Sequence, residues 1–195
     1  MPRDQPYVWL FPERGCKVVL SVSSFEAVLS SARAALPNET GGTLVGKYSD
    51  EGCTATITHP YQARKGAHAG RNWFFRPSDD VDPTLRDLLN KKRDALHYLG
   101  EWHSHPGAKP LPSVRDIRTL QGLAHSPDVA SDTPLLLILG GNLNRLPQVA
   151  CFMFAEGIYY RGILASGKAE RSPGLTGRLL RQIRHIFSLR TDETA

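Results

Sequence analysis

The sequence predicts an α/β domain in which one mixed β-sheet carries helices on its faces. Three observations lead there. Segments with strand character and segments with helical periodicity alternate without a regular strand–helix repeat, which favours a mixed sheet over an all-parallel one. The 195 residues suffice for one domain to bury a core without support from disulfides or oligomerisation. Their composition, 41% hydrophobic and 22% charged, is globular rather than disordered, and no internal repeat or low-complexity stretch interrupts it.

Taken in order, KVVLSVS from Lys17 is rich in valine and strand-like. It runs into SSFEAVLSSARAAL, where Ser23 and Glu26 have capping-box spacing and a helix is expected to begin. Pro37 and Asn38 end that helix. GGTLVGKY and CTATITHP are two strands joined by the turn residues Ser49-Asp50-Glu51-Gly52. YQARKGAHAGRN is polar, basic and glycine-containing, the composition of a mobile surface loop, and WFFRP follows as a short aromatic strand. Asp82-Pro83 offers an N-cap and a proline at the first helical position for a helix over TLRDLLNKKRDAL. ALHYLGEWH has the character of a buried strand and SVRDIRTLQGLAH that of a helix. TPLLLILGG, QVACFMFAEG and GIYYRGIL supply the closing strands. A last helix, Thr176 to Leu189, gathers Leu179, Leu180, Ile183, Ile186 and Phe187 on one side, with Arg178, Arg181 and Arg184 on or beside the other. Its plain reading is a helix docked on its own domain.

Several function classes drop out early. No apolar run reaches the roughly 20 residues a bilayer span needs, so no membrane partner is expected. The opening MPRDQPYVWLFPERG places charges and prolines where a signal peptide needs a continuous apolar stretch, which argues for a cytoplasmic protein. Cys16, Cys53 and Cys151 are odd in number and lack CxxC or finger spacing; they are expected as reduced, buried structural thiols. The formal charge of +5 is concentrated in the tail from Arg161, which holds seven Lys/Arg against three Asp/Glu. Such a tail attracts acidic partners and nucleic acid alike, so charge alone selects neither.

The chemistry is carried by HSHPGAKPLPSVRD, from His103 to Asp116. On a strand, residues i and i+2 project to one face, so His103 and His105 aim two imidazoles at one point. Pro106 ends the strand. Ser113 opens the next helix and Asp116 lies in its first turn, where a carboxylate can face the strand end. Two His and one Asp leave a fourth tetrahedral position for water, the pattern of a catalytic zinc site rather than a structural one. Each half has a plainer explanation: a His-x-His on a strand can be two half-buried polar residues, and Ser113-x-x-Asp116 is good helix-capping grammar. The combination in this order and spacing is far more specific than either half.

These residues resemble the JAMM (MPN+) metalloprotease family, whose pattern is His-x-His, seven residues, then Ser-x-x-Asp; here it reads HSH, PGAKPLP, SVRD. The family also has a glutamate after its first helix, just before paired glycines, and PNETGGTLVG places Glu39 there. The likeness covers roughly Val18 to Tyr160, and YLGEWHSHP is particularly similar to prokaryotic members that accompany ubiquitin-like conjugation or anti-phage operons. The resemblance implies the MPN (JAMM) fold, a curved mixed sheet flanked by helices. It divides the chain into an N-terminal extension (1–16), a metalloprotease domain (17–165) and a basic helical tail (166–195). It implies one Zn²⁺ held by His103, His105 and Asp116, with Glu39 as general base and Ser113 stabilising the oxyanion. Glu101, which shares strand parity with the histidines, and Trp73 are candidates for orienting a ligand or touching substrate. The loop from Tyr61 to Asn72 falls where the family places substrate-contacting insertions. Trp102 is expected to face away from the metal and pack, and the unpaired His59, His68, His97, His125 and His185 are not expected as ligands.

The function so implied is cleavage of the amide bond after the C-terminal tail of a ubiquitin-like protein, with that protein or its conjugates, and conjugation enzymes of the same operon, as partners. Three alternatives stand beside it: trimming of a sulfur-carrier protein's tail, a non-catalytic MPN scaffold, and a nucleic-acid-linked role like that of RadC-like proteins. The last is not favoured, because no helix-hairpin-helix region is evident and NETGG fits the peptidase branch.

Overall fold

A computed structural model of the chain describes residues 5–63, 68–70, 73–75, 89, 96–125 and 131–167. The strands are β1 (Tyr7–Phe11), β2 (Cys16–Leu20), β3 (Gly41–Ser49), β4 (Thr54–Gln62), β5 (His68–Gly70), β6 (Trp73–Phe75), β7 (His97–Pro106), β8 (Leu135–Asn142), β9 (Leu146–Ala155), β10 (Ile158–Arg161) and β11 (Ile163–Ser166). Among the described residues the α-helices with defined bounds are α1 (Val22–Ala34) and α2 (Val114–Ala124). Nine strands form one sheet in the order β10-β9-β8-β7-β3-β4-β2-β1-β11, while β5 and β6 pair separately. The sheet is mixed as expected: β2 runs parallel to β4 and β7 parallel to β8, the other pairs being antiparallel.

Alternation along β7 and β8 divides the core in two. Trp102, Leu137 and Leu139 join Phe25, Val28 and Leu29 of α1 in the larger cluster. Leu136, Ile138 and Phe152 join Leu120 of α2 in the smaller one. The two helices therefore cover opposite faces, and the continuous apolar run of β8 is explained, since Leu135 to Leu139 is buried on both sides. His103 lies opposite Ile138 in the ladder, so the histidines share the α2 face.

Four expectations change. The helix start is two residues early: Ser21, not Ser23, is the N-cap, its Oγ accepting the Ser24 amide at 3.0 Å. Ser24 in turn donates to the β4 carbonyls of Ile57 and Thr58, so docking on β4 decides where α1 begins. Residues 7–11 are no extension. β1 is paired with both β2 and β11, and Trp9 and Phe11 are core residues. The polar stretch 61–72 is not all loop, because β4 reaches Gln62 and His68–Gly70 pairs with Trp73–Phe75. Of the cysteines only Cys151 is buried; Cys16 and Cys53 are half-exposed. The expected helices from Pro83 and from Thr176, and the basic tail, lie outside the described residues, apart from Leu89, which is helical.

Two glycines set how closely backbones approach around β7. The Tyr61 carbonyl occupies the space a Cβ on Gly42 would need, and there it accepts the indole N–H of Trp102 at 2.9 Å. Trp102 thus packs on the face away from the histidines, as expected, and ties β7 to β4 across β3. On the other side, a Cβ on Gly140 would stand 2.5 Å from the Ala108 carbonyl oxygen and 2.7 Å from the Pro110 nitrogen. The loop from Gly107 to Pro112 therefore lies flat on β8, held by Gly141 N–H to Ala108 O at 2.7 Å and Gly107 N–H to Gly141 O at 3.0 Å. Gly140→Ala is expected to push that loop outward, cost about 1–3 kcal/mol in a chemical-denaturant melt, and displace Asp116 at the loop's far end.

Candidate metal centre

The centre forms where the C-terminal end of β7 meets the start of α2. His103 and His105 project from β7 two residues apart, their rings 4.7 Å between centroids. Ser113 caps α2 in a reciprocal capping box: its Oγ accepts the Asp116 amide at 3.2 Å, and Asp116 Oδ2 accepts the Ser113 amide at 2.6 Å. The box presents that carboxylate to the histidines. Asp116 Oδ2 stands 3.5 Å from His103 Nε2 and 3.8 Å from His105 Nε2. The ligand atoms of His103, His105 and Asp116 all lie within 4.8 Å of one another, and no other such group of three is found among the described residues.

Glu39 approaches from the link between α1 and β3. Its Oε1 is 3.9 Å from His105 Nε2, and its backbone N–H donates to Gly70 O of β5 at 2.9 Å. The neighbouring Thr40 is fastened to β7 through Ser104, the fully buried residue between the histidines. Thr40 N–H donates to Ser104 Oγ at 3.1 Å and Ser104 N–H to Thr40 O at 2.8 Å. Sequence reasoning passed over both Thr40 and Ser104. The available signal was parity: a serine between two same-face histidines must point the other way, into the core, where its hydroxyl needs a partner.

The remaining candidates are distributed as follows. Glu101 accepts the Tyr98 hydroxyl at 2.7 Å. Trp73 lies in β6, paired with Gly70, the residue whose carbonyl holds the Glu39 amide. His59, His97 and His125 sit elsewhere, against Thr58, Tyr48 and Gln121 respectively. The side chain of His68, and His185 altogether, lie outside the described residues.

The donor set suits zinc. Tetrahedral coordination at about 2.0–2.2 Å separates ligand atoms by about 3.4 Å, near the 3.5 and 3.8 Å spacings of Asp116 from the two rings. His103 Nε2 is buried, and its nearest partner, Asp116 Oδ2, stands at 3.5 Å, too far for a good hydrogen bond, an arrangement that a cation held between the two relieves. The charges agree. Burial and the nearby His103 hold the His105 ring below its ordinary value, and the Lys109 backbone engages that ring. Burial pushes the Asp116 carboxyl up, but the His103 imidazole and the Ser113 donors outweigh it and hold it at about 2. At neutral pH, His105 thus offers a neutral ring and Asp116 a carboxylate, the forms that bind metal.

Glu39 behaves differently. Burial raises its carboxyl, against the pull of His103 and with the help of Asp116, to about 7. The metal-free fold keeps the proton up to about 7, while the unfolded chain loses it near 4.5. Between those values the native state binds more protons, so this group's contribution to stability falls as pH rises. Metal-free Glu39→Gln is therefore expected to gain on wild type by about 1 kcal/mol between pH 4.5 and 8, after discounting for the solvent the side chain still meets. Paired thermal melts in chelator measure this difference; the same gap at both pH values would contradict it.

Comparisons with known proteins agree with this architecture. The family of prokaryotic homologs of the JAB domain matches residues 21–153. A CD-NTase/cGAS isopeptidase from Enterobacter hormaechei subsp. hoffmannii is 38% identical over 126 residues, 64% of this chain and 68% of that protein. A probable metalloprotease, y4qB, from Sinorhizobium fredii is 33% identical over 135 residues, 65% of this chain and 77% of that protein. A second CD-NTase/cGAS isopeptidase, from Escherichia coli, is 32% identical over 103 residues, 52% of this chain and 62% of that protein. Among solved structures, protein DSY2949 from Desulfitobacterium hafniense superposes with a TM-score of 0.54 at 24% identity, over 80% of this chain and 95% of that one; this is a likeness of fold. The chain belongs to the prokaryotic JAB family, the JAB/MPN domains resembled by its His-x-His and Ser-x-x-Asp pattern.

Proposed function

We propose that the chain is a zinc-dependent isopeptidase that cleaves the amide bond after the C-terminal tail of a ubiquitin-like protein, in deconjugation or precursor processing. The observation that carries this reading is the convergence of His103, His105 and Asp116 with the Glu39 carboxyl 3.9 Å from His105. Three ligands with a separate carboxylate beside them are the parts a hydrolase needs and a structural site does not. The relatives named CD-NTase/cGAS isopeptidase support isopeptidase chemistry and a CD-NTase-linked setting; the relative named a probable metalloprotease supports the metal.

In this reading His103 Nε2, His105 Nε2 and Asp116 Oδ2 hold the zinc. When bound, zinc supplies Lewis acidity, polarising the scissile carbonyl and bringing water's pKa toward about 7. The chain's own groups do the rest. Glu39, whose carboxyl titrates at about 7 without metal and lower beside a cation, takes the proton from the attacking water and delivers it to the leaving amine. Without that delivery an amide nitrogen is too poor a leaving group. Ser113 Oγ, which accepts the Asp116 amide and whose hydroxyl also donates to the Asp116 carboxylate, is the group that turns its proton to the oxyanion as charge develops there. An extended tail entering beside the site gains affinity from backbone hydrogen bonds, which tolerate sequence variation.

The experiment is cleavage of a ubiquitin-like protein fused through its tail to a reporter, with products identified by intact mass. A single cut directly after the tail, made by wild type and not by Glu39→Ala, is expected. Equal, slow release by both proteins would end this reading.

A further inference from the structure

Far along the sheet from the metal centre, β2 and β4 run parallel with Lys17 opposite Thr54, Val18 opposite Ala55 and Leu20 opposite Ile57. Val18, Leu20, Ala55 and Ile57 all enter the larger core, which fixes the inward face of both strands. Continued one position beyond the Lys17–Thr54 pair, the register sets Cys16, the first residue of β2, opposite Cys53, the turn residue just before β4. The bond from Lys17 N–H to Cys53 O, 2.8 Å, extends the ladder to this point. Both cysteines line one open cavity with Tyr48, Leu135 and Met153, and both are half-exposed, unlike the sealed Cys151.

We propose that Cys16 and Cys53 are a dithiol pair that closes into an intramolecular disulfide under oxidation. Neighbouring strands stand about 4.7–4.9 Å apart, inside the 4.4–6.8 Å Cα separation that disulfides span. Closure requires the Cys16 thiol to turn away from the Arg14 carbonyl, to which it donates at 3.2 Å. Both cysteines are partly exposed, and an exposed bridge is open to reduction as well as to formation. With oxidised glutathione the step balances as follows. One cysteine thiolate attacks the glutathione disulfide, forming a mixed disulfide and releasing one glutathione thiolate. The second cysteine attacks the protein sulfur of that mixed disulfide and releases the other glutathione. Two electrons pass from the protein to glutathione, and the two thiol protons end on two glutathione molecules. The bridge ties β2 to β4 and closes a loop that contains α1, Glu39 and β3.

The test is oxidation of the folded full-length protein across a series of reduced and oxidised glutathione ratios. Free thiols are then blocked, and unreduced digests are mapped by mass spectrometry. The proposal expects a Cys16–Cys53 linked peptide rising through a single midpoint, Cys151 remaining a free thiol, and a higher melting temperature for the oxidised form. It also expects Cys16→Ser and Cys53→Ser each to stop at a stable mixed disulfide with glutathione on the cysteine that remains. Separate glutathione adducts on Cys16 and Cys53 in wild type, intermolecular dimers, or two unreacted thiols at the oxidising end would each overturn it. Wild-type mapping decides the matter even where a variant fails to fold.

Discussion

Glu39→Gln is expected to lower hydrolysis of a ubiquitin-like fusion by roughly 10²–10⁴-fold, the range a positioned general acid–base contributes, while about one zinc per chain is retained. Glutamine keeps the volume and the polar contacts, so the fold and the ligand set are spared. What it loses is the ability to take a proton from water and return it to the amine. Loss of rate should thus appear in kcat as well as in kcat/KM, since the proton matters only once the bond is being broken. The geometry makes the separation clean. Glu39 is fixed by its own backbone, through Gly70 O, and by the clasp of Thr40 on Ser104, whereas the other three groups are fixed by β7 and the cap of α2. Zinc content by elemental analysis beside steady-state rates reads both halves. Unchanged rates, or zinc lost along with activity, would remove Glu39 from the role of base.

The second large effect concerns metal removal. Stripping zinc with a chelator is expected to abolish hydrolysis and lower the melting temperature. Zinc bound at 1,000 times its Kd stabilises by about 4 kcal/mol through linkage alone. The structural cause is local: without a cation, His103 Nε2 is a buried nitrogen whose nearest partner is 3.5 Å away, and two carboxylates, Asp116 and Glu39, converge on His105. Adding zinc back is expected to restore both activity and melting temperature, whereas Mg²⁺ is not, because it favours oxygen ligands in octahedral geometry over imidazole. The zinc-dependent shift should vanish in His103→Ala/His105→Ala. A shift that persists in that variant would place the metal elsewhere.

Much of this was legible in the sequence because it is written in local rules. Alternation placed His103 and His105 on one face of a strand and Trp102 on the other. Cap grammar placed Asp116 in the first turn of a helix opened by Ser113. Long-range partners were not legible. Ser23 and Glu26 had good capping spacing, yet Ser24 reaching the carbonyls of β4 fixed the cap at Ser21. Residues 7–11 looked like an extension because their partners, β2 on one side and β11 on the other, include a strand some 150 positions later. Glu39 was an ordinary turn glutamate without the family pattern; only the fold brings it to His105. Ser104 had to wait for the structure, since its role depends on Thr40, a partner in another strand's lead-in.

The most direct test of the central claim is metal content, measured by elemental analysis on wild type, His103→Ala/His105→Ala and Glu39→Ala, all purified without chelator. The account predicts about one zinc per chain in wild type and in Glu39→Ala, and none in the double histidine variant. Wild type free of zinc, and unable to take it up, would contradict the account: the His-x-His would then be structural and the domain a scaffold.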